Sequence, residues 1–244
     1  MFDIIWSYKE GFLRGASVTF QIAGLVWIIG ILGALIIVFL DTYLSLSKGT
    51  KKIKSTYLLH ELFQFIQIGL SRSFNIFSQY IIPGIPILVL LYWFYYPVQQ
   101  ELETSISPFW ISIIVLSLVN IVSTSFIMKG IINDLPTKYI ESARQCGLSK
   151  NEIFFQISLP LIIRASIGPV LLIQISMLHN SIFASLINVK DILWQSKLIN
   201  SEIHKPIEIF TILALFFLAF SIPLIVLSNY FKNKYTKNYT IKYD

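Results

Sequence analysis

The sequence predicts an all-α, polytopic membrane protein with about five transmembrane helices, and two observations carry that prediction. Of the 244 residues, 55% are hydrophobic and only 13% are charged, a balance outside the soluble globular class. Apolar runs long enough to cross a bilayer recur along the chain, leaving no polar stretch large enough for a separate soluble catalytic domain. The whole of 1–244 therefore reads as one transmembrane domain. A single cysteine, Cys146, allows no intrachain disulfide and gives no support to an oxidised extracellular domain. The net charge of +6 fits basic membrane-flanking loops, and nucleic acid is not expected as a partner; membrane lipid is.

The first predicted span is Ser17–Leu40, whose length at 1.5 Å per residue crosses a core of roughly 30 Å with some tilt. Lys9 and Arg14 precede it as in a signal peptide, but the run is too long for a signal core and shows no small-residue cleavage site, so it is expected to stay attached. Gly30 and Ala34 form a small-xxx-small pair suited to close helix contact. The second span is expected at about Ile76–Tyr96, bent or broken where Pro83 and Pro86 each lack a backbone donor and Gly84 weakens the helix between them. The third is expected at about Phe109–Met128, the fourth at Leu161–Ile187 and the fifth at Ile207–Ser228. The fourth carries Arg164, Pro169, Gln174, His179, Asn180 and Ser181, so it is expected to face protein or water.

Lysine and arginine set the orientation, because the side richer in them is cytoplasmic. Segments 41–72 (Lys48, Lys51, Lys52, Lys54, Arg72), 129–160 (Lys129, Lys138, Arg144, Lys150) and the tail (Lys232, Lys234, Lys237, Lys242) share one side. The other side has Lys9, Arg14, Lys190, Lys197 and Lys205, and none in 97–108. This places the N-terminus outside and the C-terminus in the cytoplasm.

A polar island, about 135–160, interrupts this apolar chain on the cytoplasmic side. Pro136 suits a helix's first turn, and Tyr139, Ala143 and Cys146 follow at helical steps. Gly147 suits a left-handed C-terminal position, and Ser149 with Glu152 makes a Ser-x-x-Glu capping box for a second helix striped by Ile153, Phe154 and Ile157. Pro160 is read as the return to the membrane.

Glu141-Ser142-Ala143, then Gly147 after three residues and Ile157-Ser158-Leu159-Pro160 after nine more, resembles the E-A-A-x3-G-x9-I-x-L-P loop of ABC importer permeases. In that family the loop docks into a groove of the cytoplasmic ATPase subunit, so the island is a candidate two-helix coupling loop. Ser142 replaces the usual alanine. I-I-P-G-I-P-I-L-V-L-L-Y-W-F-Y-Y, L-H-N-S-I-F-A-S-L-I-N-V and V-T-F-Q-I-A are similar to segments of the polar amino-acid (histidine, glutamine, arginine type) permeases. Pro83, Leu90, Phe126, Lys129 and His179 stand where that subfamily has arginine, glutamine, glutamate, arginine and lysine. Either the solute differs, or the chain is one half of a mixed dimer.

The resemblance implies a multi-pass subunit of a bacterial cytoplasmic (inner) membrane importer, paired with a second copy or a paralogue, two ATPase subunits and an extracytoplasmic solute-binding protein. No cofactor is expected on the chain itself; ATP-Mg belongs to the ATPase. No G-x-x-x-x-G-K-[ST] phosphate loop occurs in the sequence. Glu141, Ser142, Ala143, Arg144, Gly147, Leu159 and Pro160 are the coupling-loop candidates. A dipole contribution of roughly 0.3 to 1 kcal/mol makes a purely structural Glu141 a competing reading, and Cys146 reads as a small filler.

Gln174, His179, Asn180 and Ser181 are the solute-pathway candidates, Gln174 sharing a helix face with Ser181. For Asn180 and Ser181, interhelical contact is an equal alternative, since polar groups in a membrane mark one or the other. Asn120, Ser123 and Thr124 are expected to hydrogen-bond between helices. His60, His179 and His204 fall in separate segments without an H-E-x-x-H helix, so no metal site is expected. For the same reason a membrane-embedded enzyme is the weaker rival; five unrepeated spans without paired carboxylates speak against an ion-gradient-driven secondary transporter.

Overall fold

The computed structural model describes residues 2–48, 84–134 and 137–236, all of it helix and connecting turns. His60, Glu61, Pro83, Pro136 and residues 76–83 of the second expected span lie outside the described residues.

A short helix, α1 (Phe2–Ser7), leads into α2 (Lys9–Lys48), which starts eight residues before the predicted span. After Pro86, whose backbone is extended at φ −57°, ψ 136°, α3 (Ile87–Trp93) begins and runs on through a π turn, Phe94–Val98, to a last turn at Gln99–Glu101. The expected break thus falls at Pro86. Pro97, inside the π turn, lacks a donor, and the wider turn accommodates it without ending the helix.

α4 (Pro108–Asp134), α5 (Thr137–Gln145), α6 (Leu159–Asn180), α7 (Ile192–Ile203) and α8 (Pro206–Thr236) complete the order. Among the described residues, four stretches are long and apolar enough to cross a membrane: Lys9–Thr42, Pro108–Asp134, Ile153–Ile187 and Pro206–Tyr235. They correspond to the first, third, fourth and fifth predicted spans. The fourth is one helical run, in which a turn at Lys150–Glu152, a π segment at Ile153–Ser158, α6 and a 3-10 segment at Ser181–Ile187 follow without interruption. Pro160 lies inside this run, with no break in the helix at that point. It sits where the π segment passes into α6, and the wider turn accommodates a residue without a backbone donor.

α4 is the centre of the bundle. Of its most apolar stretch 67% is buried, against 17% for α8, which leaves Ile207, Leu215, Leu218, Ile222 and Val226 exposed. α2 packs along α4 through Ile22 and Val26 against Ile113, Leu116 and Val119, with Leu91 and Met177 closing the cluster. A second cluster joins Ala34 and Val38 to Met128 and Ile162. The Gly30 and Ala34 pair is the point of close approach: a Cβ on Gly30 would overlap the Asn120 side chain.

Within these helices several buried hydroxyls turn back on their own backbone. Thr19 Oγ1 donates to the Gly15 carbonyl (3.0 Å), Ser166 Oγ to Ile162 (2.6 Å) and Ser196 Oγ to Ile192 (2.7 Å). Such bonds satisfy a polar group where water is absent.

Candidate functional site

The knob on one end of the bundle is built from local signals. α5 stops at Gln145, and Gly147 takes φ +80°, a left-handed conformation that costs glycine nothing and other residues about 1–2 kcal/mol. The Gly147 N–H donates to the Arg144 carbonyl at 3.0 Å and the Leu148 N–H to that of Ala143 at 3.2 Å, so the turn closes the end of α5. The capping box then forms as expected: Ser149 N–H donates to Glu152 Oε2 at 2.7 Å, and Glu152 N–H to Ser149 Oγ at 3.4 Å. The Ser149 hydroxyl and its backbone N–H hold the Glu152 carboxyl below its ordinary range.

Of the first predicted stripe only Ala143 is buried; Tyr139 and Cys146 are exposed, Cys146 lying beyond the end of the helix. In the second stripe Ile153 and Phe154 are fully buried and Ile157 half-buried. The Phe39 ring of α2 meets those of Phe154 and Phe155 at centroid distances of 5.0 and 6.0 Å. The base is anchored while Glu141, Ser142, Arg144 and Gly147 stand exposed. Leu159 and Pro160 are half-buried where α6 begins. Nearby, Lys129 Nζ meets Asp41 Oδ2 at 3.2 Å and ties the same ends of α4 and α2 together.

The four pathway candidates divide. Gln174 is 2% exposed and is held in a reciprocal amide pair: Asn120 Nδ2 donates to Gln174 Oε1 at 2.9 Å, and Gln174 Nε2 to Asn120 Oδ1 at 3.3 Å. Asn120 Nδ2 also reaches the Val26 carbonyl at 2.9 Å, Thr124 Oγ1 donates to Asn120 Oδ1 at 3.0 Å, and Trp27 Nε1 donates to the Gln174 carbonyl at 2.9 Å. Three helices, α2, α4 and α6, are stitched together at this level. Ser181 is buried and donates to the Leu178 carbonyl at 2.7 Å. His179 and Asn180 are the accessible members. His179 Nε2 shares a 2.8 Å hydrogen bond with Ser221 Oγ of α8, and its ring stands edge-on to Phe217 at 5.8 Å. Gln174 and His179 are thus turned to different neighbours.

At the end of the bundle opposite the knob, Asn188 takes φ 66° and Asp191 caps α7, accepting from the Trp194 N–H at 2.8 Å. This helix lies between the fourth and fifth expected spans. The Asp191-Ile192-Leu193-Trp194 run, an Asp before apolar residues at helical spacing, was the signal for this extra helix. Among the described residues, no three His, Cys, Asp or Glu side chains gather as metal ligands.

Residues 63–237 match the family of binding-protein-dependent transport system inner membrane components. The chain is 29% identical over 127 residues to the arginine ABC transporter permease protein ArtQ of Escherichia coli (strain K12), covering 52% of this chain and 53% of ArtQ. It is 28% identical to the octopine transport system permease protein OccM of Rhizobium radiobacter (59% of this chain, 61% of OccM). It is 25% identical to the probable glutamine ABC transporter permease protein GlnM of Bacillus subtilis (65% and 73%). The match to ArtQ thus spans about half of that relative's length. In fold, the chain superposes on an amino acid ABC transporter crystal structure with TM-score 0.75 at 21% identity, covering 94% of this chain and 96% of the other. It superposes on the inward-facing MetNI methionine ABC transporter with TM-score 0.63 at 15% identity, covering 93% and 95%. With 175 of its 244 residues inside the family match, the chain belongs to the binding-protein-dependent transport system inner membrane components.

Proposed function

We propose that this chain is the permease subunit of an ATP-driven importer for polar amino acids, pairing with a second copy or a paralogue and engaging cytoplasmic ATPase subunits through residues 135–160. The observation that carries the reading is the knob: a polar helix, a left-handed glycine and a capped turn, exposed at the tip and anchored at the base by Ile153 and Phe154. An exposed surface that leaves an otherwise apolar bundle and leads directly into a membrane-crossing helix has the form of a docking element. Glu141, Ser142, Ala143, Arg144, Gly147, Leu159 and Pro160 compose it. ATP-Mg is bound and hydrolysed in the ATPase, and this chain catalyses nothing. A solute-binding protein delivers the cargo from outside, with the N-terminus outside and the C-terminus cytoplasmic, as the basic loops favour.

The names of the relatives, for arginine, octopine and glutamine, support a polar amino-acid solute. In this reading His179 and Asn180 line the pathway, and Gln174 and Ser181 stand behind them, with Gln174 held by Asn120. Affinity purification of the tagged chain from its own membrane in mild detergent tests the proposal. An ATPase subunit is expected with wild type and lost with Gly147→Trp. Absence of any ATPase with wild type, where a control permease complex survives, overturns it.

A further inference from the structure

We propose that the Asp191 carboxyl is a proton-operated clasp that holds the start of α7 against α2, closed while the carboxyl is neutral and loosened when it ionises. The geometry is that of a dry junction. Asp191 is 0% exposed; Oδ1 accepts from the Trp194 N–H at 2.8 Å, and Oδ2 is buried without a partner. α2 approaches to backbone contact: a Cβ on Gly15 would lie 2.8 Å from Ile192 Cα and 2.9 Å from the Asp191 carbonyl oxygen. One hydroxyl bridges the two helices, Thr19 Oγ1 accepting from the Ile192 N–H at 3.2 Å while donating to Gly15. Ile192 and Ile199 pack beside this junction against Phe12 of α2 and Ile209 and Leu213 of α8. The clasp therefore joins the first and last long helices.

A charged carboxylate with one oxygen desolvated and unpaired is costly. A proton on Oδ2 removes that charge and leaves Oδ1 to cap α7. Lys197, one and a half turns into α7, is the opposing charge, and burial outweighs it, pushing the carboxyl up to about 7. Of the other groups on the packed elements, Glu202 of α7 hydrogen-bonds Tyr8. α2 presents Gly15 and Thr19, and its Glu10 and Arg14 pair with each other at 3.3 Å in solvent. Ser181–Ile187 contains no titratable residue. Lys190 is exposed with its Nζ over the Trp194 ring at 5.6 Å. Glu208, the one charged residue in the first four turns of α8, meets Lys205 at 3.8 Å.

Because the closed state binds the proton more tightly than an opened one with the ordinary value of 3.8, the clasp is fully stable below about pH 4. It weakens as pH rises towards about 7 and is level above that. The test is hydrogen exchange of residues 190–203 in the full chain in lipid nanodiscs, corrected for the intrinsic pH dependence. Opening is expected to rise about tenfold per pH unit from pH 5 to 7 and then to level off. Asp191→Asn keeps the capping oxygen and is expected to be flat; Asp191→Ser serves if the amide variant does not assemble. A flat wild-type profile, or the wild-type slope in either variant, overturns the proposal. Carbon-13 carboxyl NMR of aspartate-labelled wild type gives a reading free of variants: one aspartate titrating near pH 7 is expected, and none above about pH 5 overturns it.

Discussion

At one end of the fourth long helical run, α5 stops at left-handed Gly147 and a capped turn starts at Ser149; at the other end, a 3-10 segment stops at left-handed Asn188 and capped α7 starts at Asp191. The same grammar of stop and start serves opposite ends. In the knob the cap is exposed and made by a hydroxyl, and of α5's residues Glu141, Ser142 and Arg144 face solvent. In α7 the cap is a fully buried carboxyl, and Ile192, Ser196 and Ile199 are turned into the bundle. The same stop-and-start pattern therefore yields a solvent-exposed knob at one end and an internal strut at the other. Burial makes the difference, and burial is decided by what the neighbouring helices offer: Phe39 reaches only the knob's base, whereas Gly15 lets α2 touch the α7 backbone.

The largest break in this contrast is expected from Phe154→Ala. Removing a ring that is 0% exposed costs about 3–5 kcal/mol, so the thermal midpoint in detergent falls sharply although the knob's tip is untouched. An unchanged midpoint means that the knob is not anchored through its base. Gly15→Val comes next, at about 1–3 kcal/mol for an overpacked contact. Its signature is faster exchange in residues 190–203 with the knob's amides unaltered; equal loosening at both ends means that the two ends are not independent.

Ser149→Ala removes a cap worth about 1 kcal/mol. It is expected to speed exchange in 149–153 while leaving the thermal midpoint and α7 alone. The smallest effect is a titration. Glu152 has its carboxyl lowered by Ser149, so its contribution to the knob is complete above the ordinary carboxylate range and is lost as pH falls through the lowered value. Acidification below about pH 4.5 should therefore fray residues 149–153 in wild type and not in Glu152→Gln. The far-end clasp responds with the opposite sign, tightening as pH falls, so a single acid titration separates the two ends.

Legibility in the sequence followed the range of the interactions. Gly147, Ser149 and Glu152 signal through partners within four residues, and their turn and cap are where they were expected. Long apolar runs were equally plain, yet their ends ran further than hydropathy indicated. Lys9, Glu10 and Arg14 are good helix formers, and the backbone continues through them outside any apolar core. Gln174 shows the limit of such reading. Its polarity in an apolar run marked it as special, but its partner Asn120 lies 54 residues away and the Trp27 indole that meets its carbonyl 147 residues away, and no local pattern encodes that pairing. Asp191 carried a legible cap signal, while its burial depended on Gly15 and Thr19 of a distant helix.

The unbroken helical run has a mechanical consequence. Ile153–Ile187 is 35 residues, about 52 Å at 1.5 Å per residue, fastened near its middle by the Gln174 and Asn120 amides and softened at its base by one π segment. A beam pivoting at that fastening converts a push at Phe154, on its longer arm, into a smaller swing of Ile187, on its shorter arm, in the opposite direction. The six-residue π segment sets the compliance of the lever, and stiffening or loosening it would change how much of the stroke arrives.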